Sequence, residues 1–400
     1  TNSDQITITV NPLPIIDAGS DQTICVGDGA PLGGSPTGPS GSSYSWSPSA
    51  SLNDNTSPNP IASPAITTTY TVTVTDGNGC SNTDQVEITV DPLPNVDAGP
   101  DISICIGASS LIGGSPTSTT ASATYNWAPA ASLDNATIAN PTASPSGTTT
   151  YTLTVTHPNG CTATDQMTLT VNALPLADAG LDQDLCTGQS ITIGGTPTGP
   201  AGSSYSWSPT ASLNNAAIAN PTANPTANTI YTVTVTDLNG CTNTDQVSID
   251  VNPLPNVDAG SDQTICDGES VNIGGSPTSN SVGATFAWSP TTGLNSGNLA
   301  NPTATPATTT TYTVTVTDIN GCSNTDQLTV TVNSLPGADA GPDQSICDLQ
   351  SVVIGGAPTS SASGVTYAWD NGASLSSNSI ANPTATPSST TTYTVIVTDA

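Results

Sequence analysis

The chain has 400 residues with no Lys or Arg, 30 Asp plus Glu and a single His, giving a formal charge of -30 although charged residues are only 8% of the total. This excludes direct nucleic-acid binding, which needs Lys or Arg to neutralise phosphates. It equally disfavours an anionic bilayer surface, which attracts polybasic segments, and leaves acid-base catalysis only carboxylates, Tyr or Cys to work with. A hydrophobic content of 34% is too high for a disordered polyelectrolyte, and no apolar stretch reaches the roughly eighteen residues of a membrane helix. A soluble, folded chain is expected.

In chain order, residues 1–14 are read as the last strand of a preceding repeat. Short candidate strands follow around Gln22 to Cys25, Ala30 to Leu32, Tyr44 to Trp46 and Ile61 to Ser63, separated by Gly, Pro, Ser and Asn clusters. Thr68 to Thr75 and Thr83 to Val90 then alternate at period two around Asn78-Gly79, which supplies the positive backbone angles of a tight hairpin. No segment has helical periodicity. The set predicts an antiparallel β-sandwich.

This unit recurs at about eighty residues. Asp-Ala-Gly begins at Asp17, Asp97, Asp178, Asp258 and Asp339, and Trp46, Trp127, Trp207, Trp288 and Trp369 keep the same phase. The boundaries are repeat 1 at 15–94, repeat 2 at 95–175, repeat 3 at 176–255, repeat 4 at 256–336 and repeat 5 at 337–400, the fifth stopping before its last strand. The chain is accordingly read as a section of a longer array. Each junction carries Asn-Pro-Leu-Pro or a variant, as at Asn11 to Pro14 and Asn252 to Pro255, so Pro-stiffened linkers of a few residues predict an extended rod.

Cys25, Cys105, Cys186, Cys266 and Cys347 each follow Asp-Ala-Gly by eight residues from its Asp, while Cys80, Cys161, Cys241 and Cys322 each follow an Asn-Gly pair. Nine cysteines at fixed phase predict disulfides and an oxidising setting. Counting allows two schemes, pairing within a repeat or from Cys80 to Cys105 across a junction. The last strand carries the chain away from the Asn-Gly turn, placing Cys105 beyond the roughly 7 Å reach of a disulfide. The expected bridges are therefore Cys25 with Cys80, Cys105 with Cys161, Cys186 with Cys241 and Cys266 with Cys322, with Cys347 pairing past residue 400. Zinc is not expected, because no Cys-x-x-Cys pair or accompanying histidines occur.

The five Trp are assigned to the cores, one large central side chain per sandwich. His157 stands where other repeats have Asp76, Asp237 and Asp318, and is read as a turn substitution; no catalytic residue is assigned. Asp97 with Asp101, Asp178 with Asp182 and Asp258 with Asp262 are candidate calcium ligands, since short carboxylates near a junction suit that ion. Asp in turns also serves as a backbone acceptor without metal, so no cofactor is required.

Asp258-Ala-Gly-Ser-Asp-Gln-Thr-Ile-Cys266, Ile273-Gly-Gly-Ser-Pro-Thr, Phe286-Ala-Trp-Ser-Pro, Ala300-Asn-Pro-Thr-Ala-Thr-Pro and Thr311-Tyr-Thr-Val-Thr-Val-Thr-Asp-Ile-Asn-Gly-Cys322 together resemble the PKD-like and Ig-like repeats of very large Bacteroidota surface proteins, including gliding-motility adhesins of the SprB type. The resemblance covers all five repeats. It implies a secreted, cell-surface product of the type IX system whose repeats form a stalk or filament, contacting neighbouring repeats and other copies while a distal adhesive domain meets a surface or polysaccharide. The Trp-Asp-Phe-Gly-Asp-Gly core of PKD domains is absent; Trp-Ser-Pro or Trp-Ala-Pro stands there in four repeats and Trp369-Asp-Asn-Gly in the fifth. The alternative reading is a series of carbohydrate-binding modules on a secreted polysaccharide-degrading protein, which would require exposed Trp and Tyr rings.

Overall fold

The computed structural model describes residues 3–399; Thr1, Asn2 and Ala400, at the outer ends of segments 1–14 and 337–400, lie outside the described residues. The chain is a tandem array of small all-β sandwiches. Repeat 1 contains β1 (Gln22–Cys25), β2 (Ala30–Pro31), β3 (Ser43–Ser47), β4 (Ile61–Ala62), β5 (Thr68–Thr75) and β6 (Ser81–Asp91). One sheet has the order β1-β6-β5-β3, and β2 pairs with β4 in a two-stranded sheet facing it. The second, third and fourth repeats reproduce both sheets. Among the described residues there is no α-helix, only a 3-10 turn at Gly372–Ser374, and no helix is long and apolar enough to cross a membrane.

The sandwich is not wholly antiparallel. β5 and β6 form the expected hairpin, with Tyr70 opposite Val86 and Thr68 opposite Ile88, but β1 lies parallel to β6, from Gln22 opposite Ile88 to Cys25 opposite Asp91. A parallel pair needs a long crossover rather than a turn, and here the rest of the repeat supplies it.

Alternation decides which side chains enter the core. On β5 the residues Tyr70, Val72 and Val74 point inward, as do Val86 and Ile88 on β6, and they pack with Trp46, Ala30, Leu32 and Ala62. All five tryptophans are buried. Each indole N–H donates to a carbonyl eleven residues on, that of Ser57, Ile138, Ile218, Leu299 or Ile380. The Tyr70 hydroxyl is likewise held by Ser51, and that of Tyr312 by the Thr292 carbonyl; burial pushes the Tyr312 phenol upward from its ordinary value. Large rings thus fill the centre without leaving unpaired polar atoms, whose desolvation costs about 1–3 kcal/mol each.

The smaller sheet is short because prolines bracket it. Pro60 and Pro64 flank β4, so pairing is limited to two residues, and Pro60 contributes only its carbonyl, to the Leu32 amide at 2.8 Å. Side chains supply what this sheet lacks. Asn59 donates to the Leu32 and Gly34 carbonyls and to the Thr37 hydroxyl, and Asn140, Asn220, Asn301 and Asn382 repeat the bonds to the two carbonyls. In the neighbouring loops the Thr56 hydroxyl on Asp54, and the Thr142 amide on Asp134, hold those exposed carboxyls below their ordinary value. Whatever stability they contribute is complete above the ordinary carboxylate range and is lost as pH falls through the lowered values.

In the fifth repeat the two-stranded sheet forms, as Val352–Val353 with Thr384–Ala385, and Thr366–Trp369 pairs with Val395–Thr398. Gln344 to Cys347, the counterpart of β1, is not a strand. Its partner would be a β6-type strand, and the described residues of this repeat contain none.

The Gly-Gly corner gives a direct test of this packing. Gly194 has φ +105°, and an added Cβ would lie 2.6 Å from the Ala219 carbonyl oxygen, the Asn220 amide nitrogen and the Thr198 hydroxyl; Gly240, at φ +81° in the hairpin turn, has open space around it. Gly194→Ala is expected to destabilise the third repeat by about 3–5 kcal/mol and Gly240→Ala by about 1–2 kcal/mol. Hydrogen exchange of third-repeat amides in the two variants checks the difference; equal effects would contradict the described corner.

Candidate functional site

The junction between repeats is where the conspicuous sequence features converge. β6 leaves its repeat through Asp91 into Pro92-Leu93-Pro94, and the second proline of such a pair is buried against the repeat it enters. There its carbonyl accepts from a side chain of that repeat's last strand, Asn82 to Pro14 at 3.1 Å, Asn243 to Pro175 at 2.9 Å and Asn324 to Pro255 at 3.2 Å. The linker thus ends clamped to the following sandwich.

The Asp-Ala-Gly element continues that clamp. Ala18 is buried, and its amide donates to Asp84 of β6 at 2.8 Å, while Asp21 accepts the Glu87 amide of the same strand at 2.8 Å. The acceptors Asp165, Asp245 and Asp326 repeat the first bond. In the candidate calcium pairs, Asp97, Asp178 and Asp258 accept the amides of Gly99, Gly180 and Gly260, and Asp101, Asp182 and Asp262 accept those of Thr168, Ser248 and Thr329 on the last strands. Among the described residues no three His, Cys, Asp or Glu side chains are grouped to hold a metal ion. The aspartates lock the entering segment to the last strand, a role that sequence spacing alone did not reveal.

The disulfides join different repeats. Cys25 bonds Cys161, Cys105 bonds Cys241 and Cys186 bonds Cys322, with Cα–Cα distances of 5.7, 5.5 and 5.6 Å and 136 residues between partners each time. This corrects the expected pairs Cys25 with Cys80, Cys105 with Cys161, Cys186 with Cys241 and Cys266 with Cys322. The parallel alignment of β1 and β6 is the reason. Cys25 sits opposite Asp91, where β6 ends, whereas Cys80 sits before β6 begins, so the eleven residues of that strand, about 35 Å, keep them apart. The hairpin turn of the next repeat presents Cys161 to the pole that carries Cys25. Cys80, Cys266 and Cys347 are unpaired.

A local network presents the second cysteine. The Asp76 amide donates to the Cys80 carbonyl and the Asp76 carboxylate accepts the Asn78 and Cys80 amides, each near 3.0 Å. In repeat 2, His157 substitutes within the turn: its Nδ1 accepts the Asn159 amide at 3.2 Å and Asn159 takes over the Cys161 amide.

No family model matches the chain, and no curated protein sequence matches it. Solved structures with a similar chain course include the titin I-band fragment I67-I69 (13% identity, TM-score 0.31, 61% of this chain and 100% of that one), the human desmocollin-1 ectodomain (11%, 0.23, 89% and 91%) and the eight N-terminal Ig domains of Down syndrome cell adhesion molecule (13%, 0.23, 97% and 68%). Likeness at this level carries no argument about activity.

The three junctions among the first four repeats are thus each joined twice, by the linker and by one disulfide. With a specific protease site placed between Ala173 and Leu174, cleavage is expected to leave one species on a non-reducing gel, held by Cys105–Cys241, and two fragments after reduction. The Cys105→Ser variant should separate without reductant. Separation of the cleaved parent without reductant would show that no bond crosses this junction.

Proposed function

We propose that this chain is part of a non-enzymatic extracellular stalk or surface filament, in which successive sandwiches transmit tension and hold an adhesive element away from its attachment point. The observation that carries this reading is the stitching of successive repeats by disulfides. A bond inside a domain stabilises that domain, whereas a bond between domains restricts how they move and gives the array a second covalent path. Such bonds persist in oxidising compartments, which favours secretion. Burial of the five tryptophans removes them as sugar-stacking platforms and weighs against carbohydrate-binding modules.

The finer assignments follow from the motif pattern. On that basis the five repeats keep the boundaries given above, and the chain belongs to a Bacteroidota surface adhesin of the gliding-motility kind, exported by the type IX route, with further copies or a distal adhesive domain as partners. The lack of Lys and Arg supports a long exposed life, because trypsin-type proteases find no site anywhere in it. Calcium at the Asp97/Asp101, Asp178/Asp182 and Asp258/Asp262 pairs would be an addition to the amide bonds these carboxylates already accept.

Small-angle scattering on the oxidised chain separates these contributions. A maximum dimension of about 150–200 Å is expected from strand lengths, unchanged between millimolar calcium and chelator at constant ionic strength, with a loosening of the profile on reduction. Loosening on chelation would assign stiffness to calcium; a profile indifferent to reduction would remove the disulfides from the mechanism.

A further inference from the structure

We propose that the array is a covalent cable of two paths, in which tension runs along the first and last strands of the repeats and bypasses the strands between them. Each disulfide leaves the end of one repeat's first strand and lands just before the next repeat's last strand. One path therefore crosses from Cys25 to Cys161, follows the last strand Thr162–Asn172 and its linker into the first strand Gln183–Cys186, and crosses again from Cys186 to Cys322. The other takes the linker where the first takes a disulfide. It enters the second repeat through Pro92-Leu93-Pro94, runs along Ile102–Cys105, crosses to Cys241 and follows Thr242–Asn252.

The two paths lie side by side and are tied together. In the third repeat Gln183–Cys186 belongs to one and Thr242–Asn252 to the other, and they pair in parallel from Gln183 opposite Ile249 to Cys186 opposite Asn252. The second repeat pairs its two path strands in the same way, from Ile102 opposite Leu169 to Cys105 opposite Asn172. The clamp bonds are further rungs. Asn243 donates to the Pro175 carbonyl, Asp245 accepts the Ala179 amide and Asp182 accepts the Ser248 amide, each bond joining one path to the other. Either path can thus take up load from its neighbour.

Neither path has much slack. Between Cys161 and Cys186, Thr162–Asn172 and Gln183–Cys186 are already strand, at about 3.3 Å per residue, and Pro175 restricts the linker that follows Asn172 to extended geometry. A fully stretched chain reaches at most about 3.6 Å per residue, so unfolding the repeats adds little length to this segment. Residues 26–160 and 187–321 are held in loops closed by Cys25–Cys161 and Cys186–Cys322. An array without such bonds would instead lengthen by most of a stretched repeat each time one unfolded. The cable holds its length even when its repeats yield, an inference that deepens the tension-bearing reading above and rests on it.

Handles are ligated to both ends of the oxidised 400-residue chain, and its final length is read by single-molecule pulling at loads that unfold the repeats. Reduction is expected to add about 900–1,000 Å, the stretched length of two loops with 136 residues between partners. Single substitutions are expected to be unequal. Cys105→Ser should add nothing, because the path through Cys25–Cys161 and Cys186–Cys322 stays whole. Cys186→Ser should add about 370–400 Å, because the shortest route then doubles back from Cys161 to Cys105, crosses to Cys241 and follows the chain onward. No gain on reduction would overturn the proposal, as would a gain of about 180–200 Å from each variant, the result of pairing inside repeats. Scattering tests the stalk reading separately: the expected lengths in a chain that scatters as a compact particle would remove the stalk and leave the two paths standing.

Discussion

Parallel pairing of the first strand with the last sets the architecture of this chain. Because β1 runs alongside β6, its cysteine arrives at the pole where the chain leaves the repeat, while the hairpin-turn cysteine stays at the pole where the chain enters. Neither can reach the other, and each faces a neighbour instead. Repetition then converts a local strand direction into staples between successive repeats. A repeat array couples chiefly to its nearest neighbours, and here that coupling is covalent.

The chemistry of the repeats follows from having only one sign of charge. The chain has no Lys or Arg to pair with its carboxylates, and they serve instead as acceptors for backbone amides at turns and between the entering segment and the last strand. An amide–carboxylate bond is charge-assisted and needs no long flexible partner. Stability thus rests on a small apolar centre, with a Trp and a Tyr whose polar atoms are satisfied, and on short polar side chains that complete a two-residue sheet. Thirty formal negative charges meanwhile discourage unspecific association of long exposed chains.

Much of this is legible in the residues. Alternation in Thr68 to Thr75, the Asn78-Gly79 turn and the phase of the cysteines specify the hairpin, the repeat length and the all-β class, because each is a local consequence of backbone preference. Strand direction is not local. Nothing in Gln22 to Cys25 states whether it lies parallel or antiparallel to a strand some sixty residues later, and the disulfide pattern depends on that single fact. The last strand carries the chain away from Cys80, and the first strand, running parallel to it, carries Cys25 the same way, so the two cysteines of one repeat end at opposite poles. The aspartate pairs present a similar limit: a spacing of four residues fits both an ion site and two amide acceptors, and only the path of the last strand separates them.

The most direct measurement is mass spectrometry of an unreduced peptic digest, made at acid pH where few thiolates remain to exchange disulfides. The account predicts cross-linked peptides joining Cys25 to Cys161, Cys105 to Cys241 and Cys186 to Cys322. Peptides joining Cys25 to Cys80 and Cys105 to Cys161 would contradict it, and with it the parallel placement of the first strand.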